Sequence, residues 1–267
     1  MAKYFPEAVA KYLYNELRKP YTPINLKNAT PRELEIDRRD REYYEASRPV
    51  VADYQELGYD IVNLDELCSL QKYLDDIQVL ELAVKWLPFV KQATVKETLL
   101  RIISNNIQTG NRLEEVIPLI VREWTRATPK DHGIRQTIGN IFMKYPREKY
   151  YEQMLSLARN DAKLDLGDIG SSDRGFIVTA LAKTKNVPRV YQDLVLLSKD
   201  QMLVLDTIEG FGILKDPRAL PWLRKKLIDK SMYSGKYADR ADDTYVRKLI
   251  ETAIAKIENA QKKLKKS

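Results

Sequence analysis

The chain carries one cysteine, Cys68, and one histidine, His132. A thiol beside an imidazole is the smallest set that makes an activated sulfur nucleophile. Single copies of each exclude a histidine pair for a metal and any internal disulfide. Cys68 falls on the apolar stripe of a helix expected over Leu64–Leu74, which favours a buried, inert thiol. His132 lies in Pro129-Lys130-Asp131-His132-Gly133, a turn before a helix, where a solvated ring is expected. No spacing brings the two together.

The run Asn160–Gly175 holds four aspartates and three glycines, the composition of a calcium loop. An EF-hand loop alternates its oxygen ligands and closes on a glutamate, and this run does neither. It reads as a long turn between paired helices, with Ser172 or Asp173 as N-cap. There is no Gly-x-x-x-x-Gly-Lys phosphate loop and no Gly-x-Ser-x-Gly elbow. The sequence therefore offers no catalytic residue, no metal-ligand set and no cofactor, and it reads as non-catalytic.

Charge is distributed unevenly. Residues 1–80 hold 11 Lys+Arg against 15 Asp+Glu, a net of −4; residues 81–214 hold 19 against 16, a net of +3; residues 215–267 hold 15 against 7, a net of +8, giving the chain its +7. A basic C-terminal half admits sequence-independent nucleic-acid binding, because Lys and Arg neutralise phosphates and release counterions. Solvated lysines complementing a helix C-terminus produce the same composition. No apolar run approaches the roughly 20 residues that cross a bilayer, and Met1-Ala2-Lys3-Tyr4-Phe5-Pro6 lacks a signal-peptide core. No membrane association and a cytoplasmic location are expected. Hydrophobic content of 44% allows a sizeable core, and no β alternation of useful length is present.

The elements that would position any site are helices. Apolar or small residues recur at positions zero, plus four, plus seven and plus eight, one stripe of an amphipathic helix. Val95, Leu99, Ile102 and Ile103 follow this pattern, as do Ile134, Ile138, Ile141 and Phe142, then Leu203, Thr207, Gly210 and Phe211, then Val246, Ile250, Ala253 and Ile254. Ile177, Leu181 and Thr184 fit the register poorly but fill a double gap. Prolines mark the intervening helices in Leu87-Pro88-Phe89, Ile117-Pro118-Leu119, Val187-Pro188-Arg189 and Leu220-Pro221-Trp222, as expected for proline near a helix start. A long Gly/Ser/Tyr turn is expected over Ser231–Ala241.

The string Phe211-Gly212-Ile213-Leu214-Lys215-Asp216-Pro217-Arg218-Ala219-Leu220-Pro221 resembles a HEAT repeat. The resemblance is clearest over residues 203–257 and looser over 80–202. It implies an all-α, right-handed α-solenoid of about five HEAT-like helix pairs over residues 81–260, with a basic tail at 261–267. It further implies Arg135 and Arg247 linked to turn aspartates Asp131 and Asp243, and second helices lining the inner curve.

Residues 1–80 read as an irregular helical N-terminal cap, with a partner-binding arm as the alternative. A helix is expected over Pro6–Arg18, and Thr30-Pro31-Arg32-Glu33 matches a capping box. The polar helix that follows should run to about Arg48 and be kinked or split at Pro49, with Gly58 as terminator. The function implied is a scaffold for a protein partner, with nucleic acid as the alternative. Partner-facing candidates are Lys96, Arg101, Gln136, Asn140, Lys248 and Glu251, together with Trp124 as the tryptophan best placed to be exposed. Some HEAT-like proteins are DNA glycosylases that use aromatics with an aspartate; none of Trp86, Trp124 or Trp222 has such a neighbouring aspartate.

Overall fold

The computed structural model describes residues 21–23, 29–164, 170–228 and 243–265. Among these the chain is all-helical, with no strand. The expected helix Pro6–Arg18 and the turn Ser231–Ala241 lie outside the described residues. Two compact units are present, residues 1–124 and 125–267.

Among the described residues the first helix of the first unit is α1, Pro31–Glu56. Its start is the capping box: Thr30 Oγ1 accepts from the Glu33 N–H at 3.3 Å, and Glu33 Oε2 accepts from the Thr30 N–H at 2.7 Å. The helix is not split at Pro49 and continues beyond the expected end near Arg48 to Glu56. An interior proline forfeits a backbone bond at a cost of about 3 kcal/mol. Burial of Val50, Val51 and Tyr54 offsets it, and the Tyr54 hydroxyl donates to the Val79 carbonyl at 2.8 Å. Gly58 ends the element at φ 91°, a left-handed conformation that glycine adopts without strain.

The single helix expected over Leu64–Leu74 is broken. Helix α2 spans only Asp65–Ser69, Leu70 is extended at ψ 122°, and a 3₁₀ turn follows at Gln71–Tyr73. Buried Glu66 fixes the short helix by accepting from the Val62 and Asn63 N–H groups at 2.6 and 3.2 Å. Helices α3, Ile77–Trp86, and α4, Ala93–Asn105, pack on each other and on α1, and α2 packs on α4. Val95, Leu99, Ile102 and Ile103 are buried as their spacing requires. Each such aliphatic side chain contributes roughly 1.5–3 kcal/mol. Helix α5, Leu113–Arg126, runs to the boundary of the unit.

The second unit contains α6 (His132–Lys144), α7 (Tyr151–Arg159), α8 (Gly170–Lys183), α9 (Val190–Leu197), α10 (Val204–Leu214), α11 (Leu220–Ile228) and α12 (Asp243–Leu264). Even-numbered helices pack in sequence, α6 on α8, α8 on α10 and α10 on α12, while α7, α9 and α11 each pack on the helix that follows. Ile134, Ile138, Ile141 and Phe142 are buried, as are Leu203, Thr207, Gly210 and Phe211. Val246, Ile250 and Ala253 are buried, and Ile254 is half-buried.

The poorly fitting unit is a register error. Asp173, Ile177, Ala180 and Leu181 occupy positions zero, four, seven and eight, all buried. A buried aspartate stands where the other helices place Ile, Leu or Val, so a search for apolar residues skips it. Because α8 begins at Gly170, neither Ser172 nor Asp173 is its N-cap. Arg135 on α6 and Arg174 on α8 hold the same place, one residue after position zero. Arg135 donates to the Ala127 carbonyl and Arg174 to the Ala158 carbonyl at 3.1 Å, each satisfying backbone near the end of the preceding helix.

Proline placement differs from expectation at two sites. Pro88 follows the end of α3, and Pro118 lies six residues into α5, where no N–H reaches back to the Glu114 carbonyl. Pro221 is the second residue of α11, and Pro188 precedes α9.

Candidate functional site

In the first unit, α1 and α4 present two stripes with the same helical spacing: Ile36, Arg39, Asp40 and Tyr43 from α1, and Thr94, Glu97, Thr98 and Arg101 from α4. With Asp65 they line a groove of about 360 Å³. Its floor is wired. The Tyr43 hydroxyl lies 3.3 Å from both Asp65 Oδ2 and Thr98 Oγ1. Thr98 Oγ1 donates in turn to the Thr94 carbonyl at 3.1 Å. Arg101 Nη1 stands 3.7 Å from Asp65 Oδ1, with nearly half of its side chain still in water. Exposed Arg39 and Asp40 and half-buried Glu97 form no ion pair among the described residues. Ile36, 47% exposed, adds the one large apolar contact at the rim.

The groove's floor presents hydrogen-bonding groups and no activated nucleophile among the described residues. Burial, followed by the Asp65 carboxylate, pushes the Tyr43 phenol well above its ordinary range, so it stays neutral and serves as a hydrogen-bonding group. Cys68 lies beneath, its sulfur 3.3 Å from the Asp65 carbonyl; burial raises the thiol against the lowering pull of Arg101. A thiol held protonated is a poor nucleophile. His132 opens α6, and its side chain is outside the described ones. Among the described residues no group of three His, Cys, Asp or Glu side chains is placed to hold a metal ion, and no helix is long and apolar enough to cross a membrane.

Of the candidates in this unit, Arg101 alone lines the groove. Lys96 instead forms an ion pair with Glu123 of α5; the two side chains are 15% and 0% exposed. Trp124 is 1% exposed, so it is a core residue and offers no aromatic surface. Its helix carries a strongly one-sided apolar pattern, with Leu113, Val116, Ile117 and Ile120 buried, and Trp124 continues that stripe.

In the second unit, Gln136 is exposed and Asn140 half-buried on α6, whereas Lys248 and Glu251 are exposed on α12. Helices α8 and α10 intervene in the packing sequence, so the four do not form one cluster. Glu251 is engaged by Arg247 at 3.0 Å. On α8, of the side chains from 173 to 183, all but Phe176 and Lys183 are buried.

The expected Arg135–Asp131 link is replaced. Asp131 Oδ2 caps Thr128, accepting from its N–H at 2.9 Å and its hydroxyl at 2.8 Å, and Arg135 is 1% exposed. For Arg247 the side chain of Asp243 lies outside the described ones. A buried Asp193 joins α7 to α9 by accepting from the Tyr151 hydroxyl and Arg159 Nη2, both at 2.8 Å, and it forms an ion pair with Arg189, whose Nε lies 3.0 Å away.

The sequence reading missed the groove because α1 looks uniformly polar. The signal was the matched spacing of residues 36, 39, 40 and 43 with 94, 97, 98 and 101, visible only once the two helices are known to face each other. Comparisons with protein-family models, curated proteins and solved structures each returned no match.

Proposed function

We propose that the chain is a non-catalytic scaffold that binds a protein partner, built on a HEAT-like α-solenoid in its second unit. The helix order supports the architectural part, since even helices stack in sequence and Arg135 and Arg174 recur at one position of successive pairs. Stacked helix pairs of this kind serve mainly as binding surfaces.

The observation that carries the functional reading is the α1–α4 groove, with a prearranged polar floor and a rim bearing both signs of charge. Arg39 against Asp40 and Glu97 suits a peptide segment with charges of both signs. Such a rim repels a polyanion at two of its three charges, so complementarity here selects a protein.

The test is crosslinking capture with the full-length chain, followed by titration calorimetry of the captured partner in purified form. The double reversal Arg39→Glu with Glu97→Lys is expected to weaken that partner at least about tenfold, the scale of two rim charges at roughly 0.7 kcal/mol each. Equal binding by wild type and variant would refute the groove as the site. Turnover of a small substrate lost on changing one polar residue would refute the non-catalytic reading.

A further inference from the structure

Helix α12 is the longest of the second unit, and the structure sorts its charges. Its described acidic side chains, Glu251 and Glu258, are each held by an arginine, Arg247 at 3.0 Å and Arg224 at 2.9 Å. Lys248, Lys256, Lys262 and Lys263 are exposed and form no ion pair among the described residues. At 3.6 residues per turn, these four fall within about a third of the helix circumference, and neither glutamate lies in that sector. Between them stand Thr252, Ala255 and Asn259, short side chains that leave the ammonium groups the most prominent features of the face. At 1.5 Å per residue, Lys248 to Lys263 spans about 22 Å.

We infer that this lysine stripe of α12 lies along the phosphate backbone of a nucleic-acid duplex. One strand of B-DNA presents a phosphate about every 3.4 Å of axis, so about 22 Å passes roughly six phosphates, enough for each lysine to find one. The contact is independent of base sequence, because ammonium groups read charge and not base edges. Neutralised glutamates matter as much as free lysines: two unpaired carboxylates flanking the stripe would repel the same backbone. An anionic membrane fits less well. The face between the lysines carries no large apolar side chain, and Leu264 at the helix end, 77% exposed, offers little area to insert. This surface is separate from the α1–α4 groove and stands without it.

The experiment is fluorescence anisotropy of a short mixed-sequence DNA duplex with the full-length chain, titrated from about 50 to 200 mM salt. Four phosphate contacts give a log–log slope of about −3.6 and roughly a 100-fold loss of affinity over that range. Changing Lys248, Lys256, Lys262 and Lys263 to Gln is expected to flatten the slope to near zero. A control with the same charge removed elsewhere, Lys91, Lys185, Lys199 and Lys225 to Gln, should keep the slope within about one of wild type. All eight side chains are exposed, so folding is preserved, as circular dichroism would confirm. The inference is overturned if wild type fails to bind the duplex at about 50 mM salt. Equal weakening of both variants, or binding to phosphatidylserine vesicles in place of the duplex, overturns it too.

Discussion

Replacing Gly139 by alanine should force α6 and α8 apart. A β-carbon on Gly139 would lie 2.7 Å from the β-carbon of Phe176 and 3.1 Å from the Asp173 carbonyl oxygen. Carbon–carbon contacts are optimal at about 3.5–4.0 Å, so the first distance is short by roughly 0.8 Å. Neither neighbour can swing away: one is backbone and the other is bonded directly to it. Relief therefore requires the helices to separate where Ile138, Phe142, Ile177 and Leu181 are buried. Overpacking of a rigid core costs about 1–3 kcal/mol, and this contact belongs at the upper end. Alanine recovers about 1 kcal/mol of helix propensity over glycine. The net expectation is a loss of about 1–2 kcal/mol, read as a lower urea midpoint at unchanged slope. Gly212→Ala provides the comparison. Its added carbon would meet Ala253 at 3.1–3.2 Å, a few tenths of an ångström too close, and the propensity gain should nearly cancel the cost. A Gly139→Ala protein as stable as wild type, or more so, would refute the close approach of α6 and α8.

Asp206 on α10 packs its carboxylate onto Gly175 of α8, and burial, then Glu209, pushes its pKa up to about 7 from the 3.8 of an ordinary aspartate. Because the folded value is the higher one, the stability from this group is complete below about pH 4 and is lost as pH rises through about 7. Asp206→Asn should therefore stabilise the protein by about 1–2 kcal/mol at alkaline pH, the full shift being discounted for partial contact with water, and the gain should vanish toward pH 4 in thermal melts. A gain independent of pH would rule out the titration. Lys96→Met removes the nearer of two cations at fully buried Glu123, leaving Arg122 Nε at 3.6 Å; a loss of about 2 kcal/mol in urea is expected, and a change under about 0.5 kcal/mol would mean the pair is dispensable. Thr30→Ala deletes the oxygen that caps α1 and should cost about 1 kcal/mol, with exchange of amide hydrogens accelerated in residues 32–34 alone.

Where one helix face decides burial, the sequence was readable. The stripes at 134, 138, 141 and 142 and at 203, 207, 210 and 211 sit in the core because 3.6 residues per turn leave no other arrangement. The capping box at Thr30 and the terminator at Gly58 were equally legible, since both act through atoms within four residues. Features decided by distant partners were hidden. Pro49 was expected to kink or split α1; it does not split it, and beyond the proline Tyr54 anchors the helix by reaching Val79. Asp173 takes a core position, so apolar periodicity could not find the register of α8. Trp124 was expected at the surface from its charged neighbours Arg122, Glu123 and Arg126, yet it is core, and Glu123 itself is buried against Lys96. The groove was hidden for the same reason: each stripe is ordinary alone, and only their juxtaposition makes a site.

The claim at the centre of this account is that the first unit holds a protein partner in the α1–α4 groove. Hydrogen–deuterium exchange of the full-length chain, with and without its captured partner, tests it most directly. The account predicts protection confined to peptides covering residues 36–43 and 94–101, reduced at equal partner concentration by Arg39→Glu with Glu97→Lys. Protection elsewhere with these two segments unchanged would contradict it.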